Sequence, residues 1–66
     1  MEITQVDAEN HARALDLENE FDDWQSNRLS SSDFLHRISA KRGSGASAND
    51  RQRANQLEKF VIKRKV

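Results

Sequence analysis

The chain has 66 residues, eleven of them basic and eleven acidic, and it contains no cysteine and no proline. Its length allows one small domain with a thin core, and the lack of cysteine excludes disulfide bonds and thiolate metal sites. Mostly polar helices of this total length can hardly enclose a pocket. We therefore expect a non-enzymatic protein with no cofactor and no metal ion.

The charge is divided between the two halves of the chain. Residues 1–33 carry nine acids and two bases, a net charge of −7, whereas residues 34–66 carry nine bases and two acids, a net charge of +7. Such a separation can steer association with charged partners. We expect either that the halves fold back and neutralise each other or that each end meets a partner of opposite sign.

The first predicted helix covers about residues 4–28, and Thr4 or Asp7 can cap its start. Apolar residues at steps of three and four predict one buried stripe along it. The members of this stripe are Ile3, Val6, Asn10, Ala14, Leu17, Phe21, Trp24 and Arg28. The stripe is weakly apolar at its beginning and strongly apolar near its end.

The apolar end of this helix is the candidate partner-binding site. Leu17, Phe21 and Trp24 can anchor a partner because aromatic and large apolar residues dominate interface energetics. A core role is the favoured interpretation of Trp24, and it is compatible with a role at an interface. Asp22 and Asp23 would orient a basic partner and raise its association rate.

Residues 18–24, with the sequence ENEFDDW, resemble a short acidic and aromatic helical segment of the PaaA/RelB-like antitoxins of bacterial toxin–antitoxin modules. The resemblance covers seven of the 66 residues, and the proline-containing linker of those antitoxins is absent, since this chain has no proline. It implies a helix that wraps a basic toxin. We do not assign the chain to that family on this segment.

The second predicted helix covers about residues 32–42 and follows a serine cluster. Ser30 with Asp33, or Ser32 alone, can form its N-cap. Its apolar face carries Phe34, Leu35 and Ile38. The first glycine of residues 43–47 (GSGAS) stops the helix, and this segment has the composition of a flexible link.

The third predicted helix covers about residues 48–64, and Ser47 with Asp50, or Asn49 with Gln52, can cap its start. Its apolar face carries Ala54, Leu57, Phe60 and Val61. Antiparallel packing of this helix on the first would place basic residues beside acidic ones. Exposed ion pairs contribute little, so the apolar faces must supply most of the stability.

The basic residues of the third helix support an alternative function, which is contact with the phosphate backbone of a nucleic acid. The candidates are Arg51, Arg53, Lys59, Lys63, Arg64 and Lys65. The acidic half would repel a nucleic acid unless it faced away. The glycine–serine link is also looser than the turn of a helix-turn-helix motif.

No arrangement of residues predicts catalysis or metal binding. The acids near Trp24 lack the convergent spacing of a cation site. His11 and His36 stand on different predicted helices and have no nucleophile or second ligand in a known pattern, so we interpret them as surface histidines.

The sequence as a whole predicts an all-α fold in one domain over residues 1–66. The fold would be a helical hairpin or three-helix mini-bundle, as a monomer or as a homodimer, because a core this small favours self-association or folding onto a partner. We expect a small regulatory protein of bacterial or phage accessory type that binds itself or a larger protein. No signal peptide or membrane span is apparent, so we expect a cytoplasmic location.

Overall fold

A computed structural model describes residues 3–43 and 45–65 of the chain. Four helices follow one another: α1 (Gln5–Ala14), α2 (Glu18–Gln25), α3 (Ser31–Arg42) and α4 (Ala48–Lys65). The described residues contain no strand, so the all-α prediction is confirmed. No helix within these two ranges is long and apolar enough to cross a lipid bilayer.

The predicted long helix over residues 4–28 is wrong, because the chain leaves the helix between α1 and α2. Leu15 and Leu17 are 5% and 1% exposed, so both reach the core. In a continuous α-helix, residues two positions apart lie about 200° apart around the helix axis, so Leu15 and Leu17 would lie on nearly opposite sides. Burying both leucines therefore requires a break, which divides the predicted helix into α1 and α2.

The break at the end of α1 has the geometry of a Schellman motif. Asp16 adopts the left-handed conformation, with φ of 61°. The Leu17 N–H donates to the Ala12 carbonyl (2.7 Å), and the Asp16 N–H donates to the Arg13 carbonyl (3.1 Å). These bonds satisfy carbonyls that the helix end would otherwise leave unpaired.

The end of α2 repeats the same motif. Asn27 is left-handed, with φ of 63°, and the Arg28 N–H donates to the Asp23 carbonyl (2.8 Å). Aspartate and asparagine tolerate this conformation better than other non-glycine residues. The ends of α1 and α2 thus depend on Asp16 and Asn27, and the helical spacing of apolar residues does not predict either position.

Substitution at Asp16 tests this interpretation of the break. We expect Asp16→Gly to raise the free energy of unfolding by up to about 1 kcal/mol, because glycine adopts the left-handed conformation without steric cost. Asp16→Val should lower it by about 1–2 kcal/mol, because a β-branched residue is strained there. Urea unfolding followed by circular dichroism measures both changes. An Asp16→Val variant more stable than the unaltered chain would contradict the motif.

The buried face of α1 also differs from the predicted stripe. The buried residues of α1 are Ala8 and Ala12, both 0% exposed, whereas Val6 is 66% exposed and Ala14 lies at the surface. The predicted stripe assumes that residues 3–28 form one uninterrupted helix with a single buried face. Since the phase changes at Asp16, the apolar residues of α2 do not indicate the buried face of α1.

The beginnings of three helices agree with the predicted caps. Thr4 caps α1 in a capping box with Asp7. The Ser30 and Ser47 hydroxyl oxygens accept the backbone N–H groups of Asp33 and Asp50, both at 3.1 Å. Each bond satisfies a donor that the first helical turn leaves unpaired.

The predicted link between α3 and α4 begins where expected. Gly43 is the C-cap residue of α3. Gly45 has φ of 91°, a conformation that glycine adopts readily and other residues rarely do. Ser44 lies outside the described residues, and the flexibility of residues 43–47 stays a prediction.

The packing of the four helices is organised around α4. Both α1 and α3 pack on α4, whereas α2 packs on α1 and α3. Because the first predicted helix is divided, four helices take the place of the predicted hairpin or three-helix bundle. One cluster of buried apolar residues joins them: Ala8, Ala12, Leu15, Leu17, Phe21, Trp24, Phe34, Ile38, Ala54, Leu57 and Val61. The predicted apolar faces of the second and third helices are confirmed, with Leu35 and Phe60 half-buried at the edge of this core.

Candidate functional site

All four aromatic residues of the chain meet around Trp24. The Trp24 ring stacks on Phe34 with a centroid distance of 5.3 Å and meets Phe21 at 5.8 Å and Phe60 at 6.1 Å. These distances lie in the range of favourable aromatic pairs. The cluster therefore ties α2 to α3 and, through Phe60, to α4.

Polar contacts fix the orientation of the Trp24 ring. Its Nε1–H donates to the Ser31 hydroxyl oxygen at 2.9 Å. The guanidinium carbon of Arg64 lies 5.2 Å from the ring centroid, a distance typical of a cation–π contact. Ser31 and Arg64 come from the first turn of α3 and the last turn of α4. Sequence analysis missed both contacts, since nothing in the local pattern joins these residues to Trp24.

The structure divides the predicted partner-binding residues into two groups. Leu17, Phe21 and Trp24 are 1%, 2% and 8% exposed, so they form part of the core, as favoured for Trp24. Asp22 and Asp23 are exposed on the outer side of α2. The apolar residues hold the helix in place, and the carboxylates face the solvent.

Three carboxylates on the outer side of α2 form what we call the acidic face: Glu18, Asp22 and Asp23. Glu18 lies 3.6 Å from Arg13, and both side chains are more than half exposed. Within the described part of the chain, the carboxylates of Asp22 and Asp23 make no ion pair. The acidic face therefore keeps most of its charge.

The ion pairs of the described residues form within each half of the chain. Arg13 is one of the two bases of the acidic half, and Asp50 and Glu58 are the two acids of the basic half. Both partners of each pair lie in the same half: Arg13 with Glu9 and Glu18, Arg42 with Glu58, and Arg53 with Asp50. The expected neutralisation of the acidic half by the basic half is not carried by these pairs. Among the described residues, most side chains that carry the majority charge of each half are exposed.

The predicted basic residues do not form one surface. Arg51 and Lys59 are exposed and, with Asn55 between them at steps of four residues, share one side of α4, which we call the basic face. Arg53 pairs with Asp50 at 3.0 Å, and Arg64 covers Trp24. Lys63 is exposed, and the Lys65 side chain lies outside the described residues.

A groove of about 460 Å³ lies between α1 and α4. Asp7 and His11 line it from α1, and Gln52, Arg53 and Gln56 line it from α4. Asn49 lines the groove as well. Asp7 is held in the α1 cap and Arg53 in an ion pair, so His11 and the amides of Asn49, Gln52 and Gln56 are its remaining polar groups. His11 is half-buried there, while His36 is exposed, as expected of a surface histidine.

No group of three or more histidine, aspartate or glutamate residues within 3–43 and 45–65 is placed to hold a metal ion. A scan against protein-family models finds no match for this chain, and searches of curated proteins and of solved structures find none either. The structure thus defines a class, a small all-α chain of four helices with an acidic face and a basic face on different helices.

Proposed function

We propose that this chain is a non-enzymatic regulatory protein that acts by protein–protein interaction, with the acidic face of α2 as the contact surface. The observation that carries the proposal is that the Asp22 and Asp23 carboxylates are exposed and unpaired among the described residues. A basic protein surface is the partner that complements them.

The packing beneath α2 supports this proposal. Phe21 and Trp24 flank the two aspartates along the same helix and are almost fully buried. A helix anchored in this way presents its outer charges in a fixed arrangement, which lowers the ordering cost of binding. Leu17, Phe21 and Trp24 thus act in the proposal as positioning residues, because their burial leaves little surface for a partner.

The partner in this proposal is a larger protein or a second copy of the chain. The basic face of α4 gives a second copy a surface of opposite charge, so self-association belongs to the same proposal. We further propose a bacterial or phage accessory role and a cytoplasmic location, as the sequence leads us to expect.

Neutralising the acidic face tests the proposal. We expect Asp22→Asn with Asp23→Asn to weaken complex formation about tenfold, since exposed charge pairs each contribute up to about 1 kcal/mol. Complexes are measured by light scattering after size exclusion, at low and high salt, and by cross-linked capture with the tagged chain as bait. Circular dichroism confirms that the variant is folded.

A matched control separates this surface from net charge. Asn10→Lys with Ala14→Lys changes the net charge by the same +2, at exposed positions on α1. We expect the control to bind as the unaltered chain does. Equal weakening by both double variants would contradict a role for the acidic face, and so would a chain that is monomeric at every salt concentration and captures no protein.

Nucleic-acid binding is the second candidate function, and the exposed basic face of α4 favours it. Arg51 and Lys59 are eight residues apart, so they lie about 12 Å apart along the helix. If this function holds, duplex DNA should bind steeply more weakly between low and physiological salt. Arg51→Glu with Lys59→Glu should abolish the binding, and absence of binding at low salt would exclude this function.

A further inference from the structure

A small pocket lies where the end of α2, the first turn of α3 and the last turn of α4 meet. Its volume is about 170 Å³, and its lining is mostly polar. The lining residues are Trp24, Gln25, Asn27, Ser31 and Arg64. Because a water molecule occupies roughly 30 Å³ of liquid, the pocket has room for a small polyatomic ion and its hydrating water.

Two hydrogen-bond donors at this pocket have no acceptor among the described residues. The Gln25 Nε2 group is buried and makes no hydrogen bond there. The Ser31 hydroxyl oxygen accepts the Trp24 Nε1–H, which leaves the hydroxyl proton of Ser31 for another acceptor. A buried donor without an acceptor is unfavourable, so Gln25 favours a ligand that accepts hydrogen bonds, and the half-buried Ser31 hydroxyl can donate to the same ligand.

The charge at the pocket has a definite sign. Arg64 stacks on the Trp24 ring at 5.2 Å and makes no ion pair with a described carboxylate. A guanidinium is planar and carries paired N–H donors, which match the paired oxygens of a carboxylate or phosphate. Ser31 opens α3, so the positive end of that helix dipole faces this region, whereas the ends of α2 and α4 bring the negative ends of theirs. The positive charge at the pocket therefore comes from Arg64.

We propose that the Trp24–Arg64 pocket binds an oxyanion, either a carboxylate or a phosphate group. Arg64 supplies the charge, and Gln25 and Ser31 supply directed hydrogen bonds. The carboxylates of Asp22 and Asp23 stand on the same helix as Gln25, and their field opposes anion binding. We therefore expect weak affinity, with a Kd of about 1 mM for a small free anion.

Trp24 provides the measurement, because it is the one tryptophan of the chain. Its fluorescence and its indole N–H resonance are followed while sodium phosphate or sodium acetate is added, with ionic strength held constant by sodium chloride. We expect saturable changes in both signals. Saturation with phosphate alone would assign the site to a phosphoryl group, and saturation with both anions would assign it to oxyanions in general.

Three variants locate the binding. Arg64→Gln should weaken the Kd at least about tenfold, because a charge-assisted hydrogen bond is lost. Arg51→Gln removes the same charge from the exposed basic face of the same helix and should leave the Kd within about twofold. Gln25→Glu places a carboxylate at the pocket and should abolish binding while circular dichroism shows that the fold is retained.

Three outcomes would overturn the proposal. A response that does not saturate, or that chloride alone reproduces, would mean that the pocket holds water only. Equal weakening by Arg64→Gln and Arg51→Gln would mean that net charge attracts the anion. Unchanged affinity in a folded Gln25→Glu variant would place the binding elsewhere on the molecule.

Discussion

Trp24→Ala is expected to remove a large part of the free energy of unfolding and to move the urea midpoint to a much lower concentration. Trp24 is 8% exposed and stacks on Phe34, and its ring is the point at which α2, α3 and α4 meet. Replacing a buried tryptophan by alanine costs about 3–5 kcal/mol. A domain of this size has a total stability of roughly 3–10 kcal/mol, so this loss is a large share of the total. The measurement is the helical circular dichroism signal and its urea dependence.

Trp24→Phe is the matched control for that experiment. Phenylalanine keeps an aromatic ring in the cluster but loses the Nε1–H that donates to Ser31. We expect it to lower the free energy of unfolding by about 1–2 kcal/mol and to stay folded. If Trp24→Ala instead kept the urea midpoint of the unaltered chain, the cluster around Trp24 would not be what holds the helices together.

The second large effect is expected at the contact between α1 and α4. Ala8, Ala12 and Ala54 are all 0% exposed, so the two helices approach each other over small side chains. Ala12→Leu adds three carbon atoms at a fully buried position. We expect it to lower the free energy of unfolding by about 1–3 kcal/mol, which is a large part of the total.

Ala14→Leu is the control on the same helix. Ala14 lies at the surface, and leucine and alanine have similar helix propensities, so this variant should change the stability by less than about 0.5 kcal/mol. Urea unfolding of the two variants side by side gives the comparison. Similar midpoints for Ala12→Leu and Ala14→Leu would contradict close packing of α1 on α4.

Local chemistry was sufficient to predict the caps of the helices. Thr4, Ser30 and Ser47 cap three helices as predicted, and Gly43 ends α3. The apolar faces of the last two predicted helices were also correct. These features depend on residues within a few positions of one another, where a hydroxyl meets a nearby N–H or apolar residues recur at helical spacing.

The break between α1 and α2 could not be predicted from helical periodicity. The spacing of Leu17, Phe21 and Trp24 continues backwards as a plausible stripe, but the tertiary structure buries Ala8, Ala12 and Leu15. Which face of α1 is buried depends on α4, and that contact is made by alanines with almost no apolar signal. Because the stripe contains Asn10 and Ala14, its weak beginning was the one sign of this error.

The candidate site shows the same division between sequence and structure. The charge separation follows from the composition of the two halves of the chain. The aspartates and Trp24 of α2 stand close together in the sequence, and their spacing indicates a charged side and an apolar side of one helix. The position of Phe60 and Arg64 against Trp24, and the pocket that Gln25 and Ser31 share with Arg64, do not follow from such local spacing. These groups lie up to 40 residues apart, and only the packing of α2, α3 and α4 around one buried core brings them together.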